Sequence, residues 1–400
     1  GFYELNGQMD LQTALAIAIL TLSQLPSSLA TGITALFYAH EKAEIPAALT
    51  IVSALIKVTI GATFILLGWG VIGLAITSLI VNLIVLVILW VLARRVFGMQ
   101  ETTDDGRPTT AESPSSVVHR PSSQLPNRTI LRESFPLMLN HLLATLFFKV
   151  DVPLLKGFKG DAVVGYYSQA YKYIDAFNII PAFFTQSLFP AMSRQASQTD
   201  NALARTYILA VKLLVMIAFP LAVITTYGAE WMIGVLGGPE FIPAGQIALM
   251  MMIWSIPIGW INSVTNYALI AANQQRALTR AFVVGLGFNI VANLMLIPMF
   301  SFQAAALVTI ASEFIEGCAF YLYVRRYIVR VNWLGVLGRP ALAAGVMALV
   351  IYPFATLGLT LVGLLIGIVV YSVVLFFTQA LNPIERALLL PLLPARLRRA

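Results

Sequence analysis

Between residues 11 and 380 the chain passes through about eleven apolar stretches, each long enough to cross a bilayer. A spanning helix needs roughly 20 mostly apolar residues at about 1.5 Å rise each. The stretches fall near 11–38, 46–68, 71–93, 133–156, 161–191, 206–226, 243–271, 281–300, 303–324, 340–357 and 359–380. Fifty-nine per cent of the 400 residues are hydrophobic and only 11% charged, more apolar surface than a water-soluble domain of this size can bury. In lipid every backbone polar group must be satisfied inside the fold, so spans are helices or a closed barrel. Long apolar runs without strict alternation exclude the barrel, and an all-α membrane protein is expected.

The net charge of +7 is an orientation signal rather than a nucleic-acid signature. Of the 25 Lys and Arg, 19 fall in alternate connections near 39–45, 94–132, 192–205, 272–280, 325–339 and 381–400, while the opposite side keeps Lys156 and Lys159. By the positive-inside rule this places the C-terminus in the cytoplasm of an integral plasma (inner) membrane protein. No nucleic-acid partner is expected. The chain opens on Gly1 with no start Met, as a piece of a longer protein would.

The segment 98–130, rich in Ser, Thr and Pro, reads as a flexible cytoplasmic linker. It divides the chain into a partial N-terminal lobe (1–97, three spans) and a C-terminal lobe (131–330, six spans), followed by a terminal helix pair with a basic tail (331–400). The polar break 227–242 should lie at the outer interface, with Tyr227, Trp231 and Phe241 at headgroup level. Pro136, Pro153, Pro181, Pro190, Pro220, Pro257 and Pro298 lie in or at the ends of spans and mark bends or broken helices.

No catalytic motif is present. His40 sits in HEKAE rather than HExxH, His119 lies in the linker, His141 is isolated, and GLG at 285–287 is too short for a dinucleotide fingerprint. Cys318 is the single cysteine, which rules out an intrachain disulfide and a cysteine-based metal site. No cofactor, no metal and no enzymatic activity are expected.

Polar residues instead collect on single faces of apolar helices. The stripes are Gln24, Ser27, Ser28 and Thr31; Thr50, Ser53, Lys57 and Gly61; His141, Thr145 and Lys149; Ser168, Lys172, Asp175 and Gln186; Ser255, Gly259, Asn262 and Asn266; Gly285, Asn289 and Asn293; and Thr309, Ser312, Glu313 and Glu316. An ionised side chain facing lipid at the bilayer centre costs on the order of 3 kcal/mol or more, so these faces should meet one another or water. Close helix packing and cavity lining both fit the Asn, Ser and Gly stripes. Lys57, Lys149, Lys172, Asn262, Asn266 and Asn289 are candidate substrate contacts. Asp151, Asp175, Glu313 and Glu316 are candidate ion-coupling groups. Lys149 and Asp151, two apart, cannot face each other on one helix, Lys172 and Asp175 are spaced to neutralise each other, and Lys212 sits where it can snorkel.

From 131 onward the chain runs through RESFPLMLNHLLATLFFKVDVPLL (132–155), GDAVVGYYSQAYKYIDAFNIIPAFFTQSLFPAMSR (160–194), FPLAV (219–223), GGPEFIPA (237–244), NYALIAANQQRALTRA (266–281) and NIVANLMLIPMFSFQAAALVTIASEF (289–314). In these segments it resembles the polysaccharide transporter branch of the multidrug/oligosaccharidyl-lipid/polysaccharide flippase superfamily, the O-antigen-type lipid-linked oligosaccharide flippases. The resemblance is looser over 11–97. It implies a fold of two six-helix lobes around a central cavity plus a terminal pair, of which this chain resembles spans four to fourteen and lacks the first three. Where the family pattern reads FG-x-x-GAA near 300 this chain has FSFQAAA, a departure expected to touch packing only.

The resemblance implies a cargo: a polyprenyl-diphosphate-linked oligosaccharide, moved to the outer leaflet by alternating access and shared with a polysaccharide polymerase or chain-length machinery. A sugar head needs a wet cavity, and a diphosphate needs fixed cations such as Lys57, Lys149 or Lys172. Tyr166, Tyr167, Tyr171 and Tyr173 are candidates to stack on sugar rings or to pack as ordinary aromatics. Within the same superfamily, a drug/cation antiporter or a peptidoglycan-precursor flippase remains open, the antiporter favouring a cavity dominated by carboxylates. A membrane glycosyltransferase or polymerase needs a larger extramembrane loop than the roughly 16-residue outer connection available here.

Overall fold

The computed structural model describes residues 11–40, 42, 44–97, 127–197, 201–381 and 385. Most of the linker expected at 98–130, with His119, lies outside the described residues, as does the basic tail beyond 385. The chain forms two compact units, Gly1–Ser123 and Gln124–Ala400. Among the described residues both are built of helices.

The first unit holds α1 (Leu11–Ala39), α2 (Glu44–Leu66) and α3 (Gly70–Phe97). Ala30, Phe37, Leu89 and Ala93 form its small core between α1 and α3. Asn82 Nδ2 of α3 donates to the Ser23 carbonyl of α1 at 3.1 Å, a polar contact of the kind that holds helices together where water is absent. Gly61 of α2 packs under the Leu74 side chain of α3.

The second unit runs α4 (Asn127–Lys149), α5 (Asp151–Lys159), α6 (Asp161–Phe177), α7 (Ile179–Ala196), α8 (Ala202–Gly237), α9 (Ile242–Met252), α10 (Ile256–Ala271), α11 (Gln275–Tyr327), α12 (Trp333–Thr356) and α13 (Thr360–Phe377). Nine helical stretches among the described residues have the length and composition to cross a membrane. Two features reconcile that figure with about eleven spans. The 53-residue α11 is two arms joined by a kink at Ser301, where φ is 58° and ψ −141°. The 161–191 stretch is split at Asn178 into α6 and α7 and is not among the nine.

The departure FSFQAAA is therefore not a matter of packing alone. Ser301 replaces the pattern's glycine at a backbone position that L side chains rarely adopt. The break read at 227–242 also starts later, because α8 stays helical to Gly237.

Prolines explain where the spans of the second unit break. Pro153 follows the turn at Val150, Pro181 follows the turn at Asn178, and Pro257 follows the 3-10 turn Ile253–Ser255 between α9 and α10. A proline has no N–H for the carbonyl four residues back and its ring crowds that turn, so each position loosens the helix just before it. The main core of this unit runs from α4 to the start of α12 and includes Tyr167, Tyr207, Leu249, Trp260, Leu278 and Phe320.

The terminal pair α12 and α13 packs on α8 around Val223, Ala344, Met347, Ile351 and Tyr371. Gly363 and Gly367, four apart on α13, let α12 approach closely: a methyl at Gly367 would lie 2.7 Å from Ile351, and one at Gly363 2.7 Å from Phe354. Tyr371 donates its O–H to the Met216 carbonyl at 2.7 Å, the carbonyl that Pro220 leaves without its helical donor. Lys212 does not snorkel. It is buried in α8 and pairs with Glu385 at 2.8 Å, their side chains 6% and 16% exposed.

Candidate functional site

The three breaks of the second unit open onto one cavity of about 420 Å³. Lys149, the last residue of α4, Asn178, the turn between α6 and α7, and Ser255, at the end of the 3-10 turn, all line it. His141 and Thr145 extend the α4 wall. Asp175 adds to α6, Gly259, Asn262, Ser263 and Asn266 to α10, and Thr309, Glu313 and Glu316 to the second arm of α11. In a membrane bundle, irregular backbone is tolerated where protein or a cavity covers it, which is where these breaks lie.

The α4–α5 break is held by side chains. Val152 N–H turns to Asp151 Oδ1 at 2.9 Å, which frees the Phe148 carbonyl for the Tyr171 hydroxyl at 3.0 Å. Tyr167 donates to Asp151 Oδ2 at 2.5 Å, and the same oxygen lies 3.1 Å from the Tyr171 hydroxyl. Asp151 is thus 1% exposed yet fully hydrogen-bonded, one tyrosine away from the cavity. Lys149 and Asp151 do point apart. Lys149 reaches Asp175 Oδ2 at 3.1 Å and Oδ1 at 3.4 Å, with its ammonium 4.7 Å from the centre of the Tyr171 ring.

On the opposite wall Glu313 and Glu316 are each 3% exposed. Asn262 Nδ2 donates to the Glu313 carbonyl at 2.9 Å and to Glu313 Oε2 at 2.7 Å. Glycines make room for this group. A methyl at Gly259 would lie 3.1 Å from Glu313 Oε1, at Gly285 3.2 Å from Glu316 Cβ, and at Gly317 2.8 Å from Asn262 Oδ1.

Among the sequence candidates, the structure gathers Lys149, Asp175, Asn262, Asn266, Glu313 and Glu316 around the cavity, with Asp151 just behind it. Others stand elsewhere. Lys172 is exposed and donates to Gln169 at 3.0 Å, so Asp175 is neutralised by Lys149 and not by Lys172. Asn289 is a packing residue: it donates to Ser312 Oγ at 3.1 Å and accepts from Asn293 at 2.9 Å. Lys57 is exposed on α2, in the first unit, together with exposed Gln24, Ser28 and Thr31 on α1. The stripe that joined Asp175 to Gln186 fails because the turn at Asn178 interrupts the wheel between them. Of the four tyrosines only Tyr171 lines the cavity; Tyr167 is fully buried, Tyr173 donates to the Met232 carbonyl, and Tyr166 packs edge-on against Phe241. Asn178 and Ser263 escaped the sequence reading. Asn178 stands three residues before Pro181 as Val150 stands three before Pro153, and that spacing is the signal for it.

A multi-pass helical bundle whose spans break around a polar-lined cavity is the arrangement that transporter folds use at their binding sites. The family model described as "Polysaccharide biosynthesis protein" matches residues 2–196, and the MatE model matches residues 136–295. No curated protein matches the chain. The lipid II flippase MurJ in an inward closed conformation superposes with a TM-score of 0.66 at 16% identity, covering 92% of this chain and 73% of that one. An outward-facing MATE family multidrug resistance transporter gives 0.62 at 12% identity, over 79% of this chain and 69% of that one. The Vibrio cholerae MATE transporter VcmN in its bent form gives 0.57 at 16% identity, over 80% and 69%. The two family models together reach across residues 2–295, and the chain shares its fold with these flippase and transporter structures.

Proposed function

We propose that the chain moves a polyprenyl-diphosphate-linked oligosaccharide from the cytoplasmic to the outer leaflet of the plasma (inner) membrane, by alternating access. The carrying observation is a cavity lined by polar and charged side chains at three helix breaks, in a chain matched by a polysaccharide-biosynthesis family model. Its walls offer hydroxyls and amides to sugar hydroxyl groups, and Lys149 offers an ammonium to the diphosphate. The isoprenoid tail stays in lipid. Glu313, Glu316, Asp175 and Asp151 are the groups available for ion coupling. A polymerase or chain-length machinery would receive the product, and the 19-to-2 distribution of Lys and Arg sets the C-terminus on the cytoplasmic side.

Cells lacking their own oligosaccharide flippase provide the test. Expression of the protein should restore surface polysaccharide, and Lys149→Ala should reduce that by at least ten-fold at equal expression. Unrestored polysaccharide would remove the reading.

A second reading is favoured by one observation. The cavity wall carries Asp175, Glu313 and Glu316 against the single lysine Lys149, the carboxylate excess a drug/cation antiporter would use. Efflux of a cationic dye from pump-deficient cells, lost in Glu313→Gln, would support that reading against the first.

A further inference from the structure

Lys149 and Asp175 form an ion pair on the cavity wall between two spans, each near its break. Lys149 closes α4 one residue before the Val150 turn, and Asp175 stands three residues before the Asn178 turn. Their side chains are 53% and 59% exposed and both line the cavity. The ammonium also rests over the Tyr171 ring, whose hydroxyl is tied to Phe148 and Asp151. The Tyr171 ring thus gives the ammonium a second contact besides Asp175.

We propose that Asp175 is a specificity-determining residue that competes with the cargo's anionic group for Lys149. The inference rests on the proposed function, which gives Lys149 an anionic cargo to bind. An unpartnered ammonium inside a membrane bundle is costly, and Asp175 neutralises it between cargoes. A half-exposed pair of this kind is weak, because solvent competes and both side chains lose freedom. A diphosphate, with more charge than one carboxylate, displaces Asp175, whereas a neutral head does not. When the cargo leaves, Asp175 pairs again, which favours release. Displacement also unlinks the end of α4 from α6, so the same event that admits the anion frees two broken spans to move.

Binding of farnesyl diphosphate, with farnesol as the neutral control, to the purified full chain in nanodiscs tests this. Asp175→Asn should tighten farnesyl diphosphate binding about two- to five-fold, leaving farnesol unchanged, as expected for loss of a weak competitor. Asp175→Glu, which keeps the competing charge, should bind like the wild type. Lys149→Gln should weaken binding, and Lys149→Gln/Asp175→Asn should behave like Lys149→Gln alone. If Lys149→Gln weakens binding while Asp175→Asn equals or falls below the wild type, competition is wrong and the anionic contact stands. If Lys149→Gln binds as the wild type does, the contact underlying the proposed function fails, and this inference with it.

Discussion

Ser301 holds φ 58° and ψ −141° at the kink of α11, and a Cβ there strains the backbone by about 1–3 kcal/mol. Lys159 helps stabilise the kink, donating to the Pro298 carbonyl at 2.8 Å. Ser301→Gly should raise the melting midpoint, and Ser301→Val should lower it, read by thermal unfolding in detergent. An unmoved midpoint in both would mean that the position carries no strain. Gly317 presents the reverse case: a Cβ there collides with Asn262 Oδ1 at 2.8 Å, and the amide is held on Glu313 by two bonds. Gly317→Ala should cost about 1–3 kcal/mol by breaking those bonds around a buried carboxylate, and should impair transport more than Gly287→Ala, where open space receives the methyl. The residue types at these sites are visible in the chain. Their roles are not, because a backbone angle and a contact between α10 and α11 appear only once the helices are placed.

Helix breaks organise the second unit more than helix lengths do. Each of the three breaks at the cavity sits two or three residues before a proline, and the carbonyls freed at irregular points are taken up by side chains from other helices: Phe148 by Tyr171, Met216 by Tyr371, Pro298 by Lys159. Tyr371→Phe should therefore loosen α13 from α8 at Pro220, lowering stability by about 1 kcal/mol. The Lys212–Glu385 pair adds a second clasp on α8 and is buried enough for its charges to matter. Glu385→Gln alone should destabilise by about 3–5 kcal/mol, since it leaves Lys212 buried and unpaired, whereas Lys212→Met/Glu385→Leu should recover most of the loss. Single and double variants compared by thermal unfolding settle it; equal destabilisation in both would show that the pair is not coupled. The prolines and the apolar lengths of these elements were legible beforehand. Stripes drawn through a break were not, as Gln186 shows, because a helical wheel assumes a continuous helix.

At the scale of the molecule, the proposed alternating access requires a polar interior in a lipid-solvated chain, and the second unit contains a polar-lined cavity. Transport in cells should fall in Glu313→Gln without loss of membrane insertion if the acidic wall takes part in coupling; normal transport at normal expression would remove Glu313 from that role. All-helical architecture, the order of the spans and the polarity of several faces follow from the chain itself, because apolar length and the positive-inside bias are local properties that lipid and membrane insertion read directly. Which polar faces enclose water and which seal against each other was settled only in three dimensions. His141, Thr145 and Lys149 line the cavity while Asn289 and Asn293 bond within the helix packing, although the two stripes look alike in sequence. The partner of a charge was decided there as well: Asp175 meets Lys149, 26 residues away, rather than Lys172 three away, because the turn at Val150 and the packing of neighbouring spans bring the distant ammonium nearer than the local one.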